Sequence, residues 1–69
     1  MNIKTERIFL QDLNPNDVFY LPGKGTRYVC ERRATDNARG KTCVVYRVYG
    51  SNYPFDMIRP NFTTVDREV

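Results

Sequence analysis

The sequence predicts an all-β fold: one small single-domain barrel, residues 1–69, built from about five short antiparallel strands. Three observations lead there. Turn-forming clusters punctuate the chain at short intervals, in "NPND", "PGKG", "TDNARG" and "GSNYP". Between them lie runs rich in β-branched and aromatic residues, such as "VFYL", "TRYVCER" and "TCVVYRVYG". No segment repeats its apolar residues with the 3.6-residue period of a helix over a useful length.

The elements follow in order. A first strand is expected at "RIFL", near the N-terminus. Pro15 and Asn16 then form a turn that opens a second strand over residues 18–21. "PGKG" turns the chain into a third strand, residues 26–32, and residues 42–50 form a fourth. Asp36, Asn37 and Gly40 mark the connection between these two as a hairpin with a long tip. Because Pro60 interrupts it, "FDMIRPNF" is expected to be irregular, with a short helical turn near residues 56–61. "TTVDREV" supplies the last strand.

Period two assigns the faces. Val44, Tyr46 and Val48 share one side of the fourth strand, and Cys43, Val45, Arg47 and Tyr49 the other. In the third strand Tyr28 and Cys30 oppose Arg27, Val29, Glu31 and Arg33. The expected core face is therefore Tyr28, Cys30, Val44, Tyr46 and Val48. The two cysteines then point to opposite faces and form no disulfide, and Cys30 serves as a small buried hydrophobe. A chain of 69 residues buries only about 60% of its unfolded surface. Its five Tyr and four Phe supply apolar area that so small a core needs, and Phe55 and Ile58 are expected to help fill it.

The segment "LQDLNPNDVFYLP", residues 10–22, resembles the "D-L-x-P-G-D-x-F" opening of small Src-homology-three-like barrel proteins, many of them from phages and mobile elements. Asn16 stands where that pattern has Gly. The resemblance implies a small barrel, carries a hint of phage or mobile-element origin, and says nothing of a ligand.

Much chemistry is missing. The chain has no histidine, the commonest general base and zinc ligand. Cys30 and Cys43 lack the spacing of a metal site, and Ser51 is the sole serine. "PGKGT" lacks the spacing of a phosphate-binding loop. The eight acids are scattered, with no paired carboxylates set apart for acid–base work. These absences point to a protein that is not an enzyme and that uses no cofactor or metal. "MNIKTERIFL" is too polar for a secretion signal or a membrane span, which places the chain in the cytoplasm, away from membranes, with reduced thiols. The "NFT" sequon at residues 61–63 then carries no glycan.

The net charge of +3 is distributed unevenly. Residues 1–31 carry four cations against four acids, and residues 42–69 three against three. Residues 32–41 carry Arg32, Arg33, Arg39 and Lys41 against Asp36 alone, so the whole excess falls on the hairpin tip. Such a cluster attracts anions, and the arginine fork suits phosphate and carboxylate. With Arg47 and Tyr49 on the same hairpin, the pattern predicts binding of a nucleic-acid backbone, Tyr49 stacking a base. A charged tip also serves solubility alone. The alternative is a protein-interaction module docking on a larger partner through Tyr49, Tyr53, Phe55 and Met57, since aromatic residues are enriched in interfaces. Composition leaves self-association open.

Overall fold

Two proline-led turns set the course of the first half of the chain. In Asn14–Asp17 the amide of Asp17 donates to the Asn14 carbonyl at 3.1 Å, and Asn16 takes a φ of 74°. Proline at the first central position and a left-handed residue at the second make a type II turn. Asparagine is among the few residues other than glycine that adopt this region readily, so it substitutes for the Gly of the resembled pattern. The Asp17 carboxylate accepts the Asn14 amide at 2.9 Å and locks the turn. Leu21–Lys24 repeats the design, with Pro22 leading and Gly23 at φ 76°.

The computed structural model describes residues 3–69. Six strands follow one another: β1 (Thr5–Phe9), β2 (Val18–Tyr20), β3 (Tyr28–Asp36), β4 (Lys41–Val48), β5 (Pro54–Pro60) and β6 (Thr64–Glu68). A single 3-10 turn, Leu10–Asp12, links β1 to β2. All strand pairs are antiparallel, in one sheet of order β1-β6-β2-β3-β4-β5.

The sheet bears out the all-β expectation and corrects three of its details. Among the described residues there are six strands rather than five. The ladder is open: it ends at β1 and β5, which do not pair with each other. Residues 56–61 form no helical turn, because Pro54–Pro60 is the edge strand β5. Its prolines are tolerated there for a geometric reason. The Asn61 amide donates to the Gly40 carbonyl across the β4–β5 ladder, so odd-numbered residues of β5 face β4. Pro54 and Pro60 fall on the other parity and face solvent, where a missing N–H costs no ladder bond.

The hairpin tip is also shorter than its sequence implies. β3 and β4 run as far as Asp36 and Lys41, which pair, leaving Asn37–Gly40 as the connection. Gly40 closes it at φ 68°.

One irregularity governs the facing of β3. Cys30 pairs with Tyr46, and Arg32 with Val45, so Glu31 is an extra residue in a β-bulge. Before the bulge Tyr28 and Cys30 face inward, as period two predicts. Beyond it the parity reverses: Arg33 and Thr35 join the inner face opposite Val44 and Thr42, and Arg32 and Ala34 face outward.

The inner face holds the core. Leu10, Leu13, Phe19, Cys30, Val44, Met57 and Val65 form one buried cluster, flanked by Ile8, Leu21, Tyr28 and Tyr46. The 3-10 turn packs on β3 and β4, laying Leu10 across the inner face as a cover. Two core expectations fail: Phe55 and Ile58 are 43% and 59% exposed, while Met57 is buried at 7%. Alternation turns Ile58 to the outer face. Phe55 shares the inward parity of Met57 but lies on the edge strand outside the buried cluster, stacked on Tyr46.

Candidate functional site

The outer face of β3, β4 and β5 at the hairpin end carries the most distinctive surface. Register places Arg32, Ala34 and Asp36 of β3 beside Lys41, Cys43 and Val45 of β4, followed by Asp56, Ile58 and Pro60 of β5. Between them lies a hollow of about 290 Å³. Ala34, Cys43 and Ile58 floor it, and Asp36, Arg39 and Lys41 stand around it. Small side chains at 34 and 43 open this space, and Ile58 reaches it because it lies directly opposite Cys43 across the β4–β5 ladder.

The predicted basic residues do not act as one group here. Arg33 turns inward: its Nε donates to the Leu13 carbonyl at 2.6 Å and its Nη1 to the Thr35 hydroxyl at 3.0 Å. It therefore ties the segment after the 3-10 turn to β3. Arg39 folds back on Asp36, with its Nε 3.7 Å from the carboxylate and its amide donating to Oδ1 at 3.2 Å. Arg47 lies on the outer face as expected, but its Nε donates to Glu31 at 2.6 Å and its Nη1 to the Ser51 carbonyl at 3.3 Å. Arg32 and Lys41 have no ion-pair partner among the described residues.

Tyr49 belongs to the opposite end of the hairpin. It lies eight residue steps of extended chain from Lys41, a span of about 26 Å. The guanidinium of Arg27 lies 3.9 Å from its ring centroid and occupies one face of the ring. The predicted assembly of four tip cations with Arg47 and Tyr49 is thus divided into an inward arginine, two paired arginines, two open cations and a remote aromatic.

The aromatic alternative is also divided. Phe55 stacks on Tyr46 at 5.8 Å with an interplanar angle of 30°, and Tyr53 lies 5.3 Å from Phe55. These two emerge at the inner-face side of β5, whereas Met57 is buried in the core and Tyr49 lies apart. Sequence reading missed Ala34, Cys43 and Ile58 as a shared floor. Their common parity would reveal it once "FDMIRP" is read as a strand and Glu31 as a bulge.

Away from the hollow, charges are mostly matched. Arg67 bridges Glu6 and Asp17, and Arg7 pairs with Asp66 at 3.1 Å. Arg27 donates to both carboxylate oxygens of Glu68, which also accepts the Tyr20 hydroxyl. The hydrogen bond from Arg27 holds the Glu68 carboxyl below its ordinary 4.5, and burial followed by the Glu68 contact raises Tyr20. Burial, with a smaller contribution from Asp17, pushes the Cys30 thiol up to about 11. Cys30 is therefore a packing residue, not a nucleophile. Among the described residues, no three His, Cys, Asp or Glu side chains gather as metal ligands, and no helix is long and apolar enough to cross a membrane.

Comparison with known proteins returns no match to a family model, a curated protein or a solved structure.

Proposed function

We propose that the chain is a non-enzymatic binding module that docks an acidic segment of a partner protein on the outer face at the hairpin end. The observation that carries this reading is the hollow: an apolar floor of Ala34, Cys43 and Ile58 beside Arg39 and Lys41, with Arg32 open on the same face. An apolar side chain of the partner fills the floor, and flanking carboxylates meet the cations. Apolar anchoring supplies most of the affinity, and the charges supply orientation and on-rate.

A second reading is a nucleic-acid module, favoured by Arg32 and Lys41, both without an ion-pair partner among the described residues. It requires no apolar floor, which is why it ranks second. Kinship with the small-barrel proteins, and the phage or mobile-element origin it hints at, rests on the resemblance of residues 10–22 and belongs to the same proposal; the turn at Asn14–Asp17 fits the backbone of that pattern.

One titration separates the readings. Backbone amide shifts are followed while a Glu- and Leu-rich peptide, or DNA and RNA in single- and double-stranded form, is added at two salt concentrations. For docking, the peptide moves the amides of Ala34, Cys43 and Ile58. Ile58→Ser then weakens binding roughly fivefold or more, and Arg32→Ala with Lys41→Ala weakens it further. For nucleic acid, Ile58→Ser has no effect, while the double charge removal abolishes binding and with it a log-affinity against log-salt slope of about −2. If the peptide leaves those three amides unmoved, the docking reading is wrong.

A further inference from the structure

The two edges of the sheet are not equivalent. On β5 the solvent-facing positions are Pro54, Asp56, Ile58 and Pro60, so only two amides remain to offer a further strand, bracketed by two prolines. That is a guarded edge. On β1 the Val69 amide donates to the Lys4 carbonyl and the Leu10 amide to the Thr63 carbonyl. Even-numbered residues of β1 therefore face β6, and Thr5, Arg7 and Phe9 turn their amides and carbonyls outward. β1 has no proline and an unbroken register with β6. Its two charges each have a partner on β6, Arg7 on Asp66 and Glu6 on Arg67.

We propose that β1 is a self-association edge, pairing antiparallel with β1 of a second copy about a two-fold axis. Closure argues for a second copy. Pairing of β1 with the β5 edge of another molecule would propagate without end, and the prolines of β5 oppose it. Pairing of β1 with β1 consumes both open edges at once.

Charge chooses the register. Outward-facing residues must oppose one another, and an axis at Ile8 or Phe9 runs the second copy into the 3-10 turn that begins at Leu10, which leaves axes centred on Thr5, Glu6 or Arg7. A Glu6 centre sets Glu6 against Glu6 of the second copy, and an Arg7 centre sets Arg7 against Arg7. Like charges directly opposite each other are unfavourable. A Thr5 centre sets threonine against threonine and places Lys4 opposite Glu6 on both sides. Lys4 has no ion-pair partner among the described residues of its own chain. The interface is narrow, so the dimer forms at the weak end of specific association.

Sedimentation over a concentration series, with amide hydrogen exchange on the same samples, tests this. The native chain is expected to dimerise as concentration rises, with the Thr5 and Arg7 amides gaining protection and those of Asp56 and Ile58 gaining none. Thr5→Pro removes an amide that faces solvent in the monomer. It should leave thermal unfolding nearly unchanged and weaken the dimer by about tenfold or more. Lys4→Glu puts like charges at both cross-strand pairs and is expected to weaken it by about tenfold. If Thr5→Pro unfolds the chain, Lys4→Glu decides. A native chain that stays monomeric at about 1 mM, where a millimolar constant would already fill a large fraction of the dimer, overturns the proposal. So does dimerisation unaffected by either substitution, or protection appearing at Asp56 and Ile58.

Discussion

Single residues hold this fold at points where the backbone departs from the ordinary. Asn16, at φ 74°, lets Pro15 turn the chain straight into β2, whose Phe19 is wholly buried. Asparagine carries a steric cost there that glycine avoids and that alanine meets without a compensating side-chain bond. Asn16→Gly is expected to be close to neutral, while Asn16→Ala costs about 1 kcal/mol, read as a shift in the midpoint of denaturant unfolding. An equal midpoint for both substitutions would mean that the turn relaxes into another form. The proline, the aspartate and the aromatic strand after them make this turn legible in the sequence. Position 16 itself breaks the resembled pattern by name while satisfying its backbone requirement.

At the scale of elements, the bulge at Glu31 decides which arginine is structural. "ERR" presents Arg32 and Arg33 as interchangeable cations, and strict alternation puts Arg33 outside. One additional residue in β3 reverses this, so that Arg33 reaches the Leu13 carbonyl and Arg32 faces solvent. Arg33→Ala leaves that carbonyl, on a fully buried residue, without its side-chain donor. It is expected to cost about 1–3 kcal/mol, whereas Arg32→Ala stays within about 0.5 kcal/mol. For a domain of this size the first loss lowers Tm by roughly 4 °C or more. Calorimetry of the two variants checks the facing directly, and equal Tm values would contradict it. Strand β5 teaches the same lesson. Pro60 argues against a strand only when the strand is central, and its place at the edge is a property of the sheet.

Across the whole molecule, ion pairing draws distant segments together. Glu68 lies near the end of the last strand, and Arg27 precedes β3, yet they meet because β6 inserts beside β2. The carboxyl of Glu68 titrates below its ordinary 4.5 in the folded chain. A depressed carboxyl contributes stability that is fully present above the unfolded value and is lost as pH falls through the folded one. Stability is therefore expected to decline below about pH 4.5, and Glu68→Gln to flatten that part of the profile while lowering stability at neutral pH. Thermal unfolding between pH 2 and 7 measures both, and an unchanged acid limb in the variant would show that the pair contributes nothing. Within residues 32–41, Arg39 is paired with Asp36 and Arg33 is held by the Leu13 carbonyl and the Thr35 hydroxyl, so Arg32 and Lys41 are the cations without a partner among the described residues.

The amino-acid sequence by itself determined the all-β class, the position of both proline-led turns, the inward facing of Tyr28, Cys30, Val44 and Tyr46, and the absence of a paired cysteine. These depend on local sterics, on backbone conformations that few residues adopt, and on the alternation of a pleated chain. The tertiary structure alone decided that the ladder has six strands, that the last lies inside the sheet and the fifth at its edge, and that Arg33 serves the core while Ile58 floors a hollow. Each of those outcomes depends on which neighbour a strand acquires, and neighbours are chosen by packing across the whole sheet rather than by any short stretch of chain.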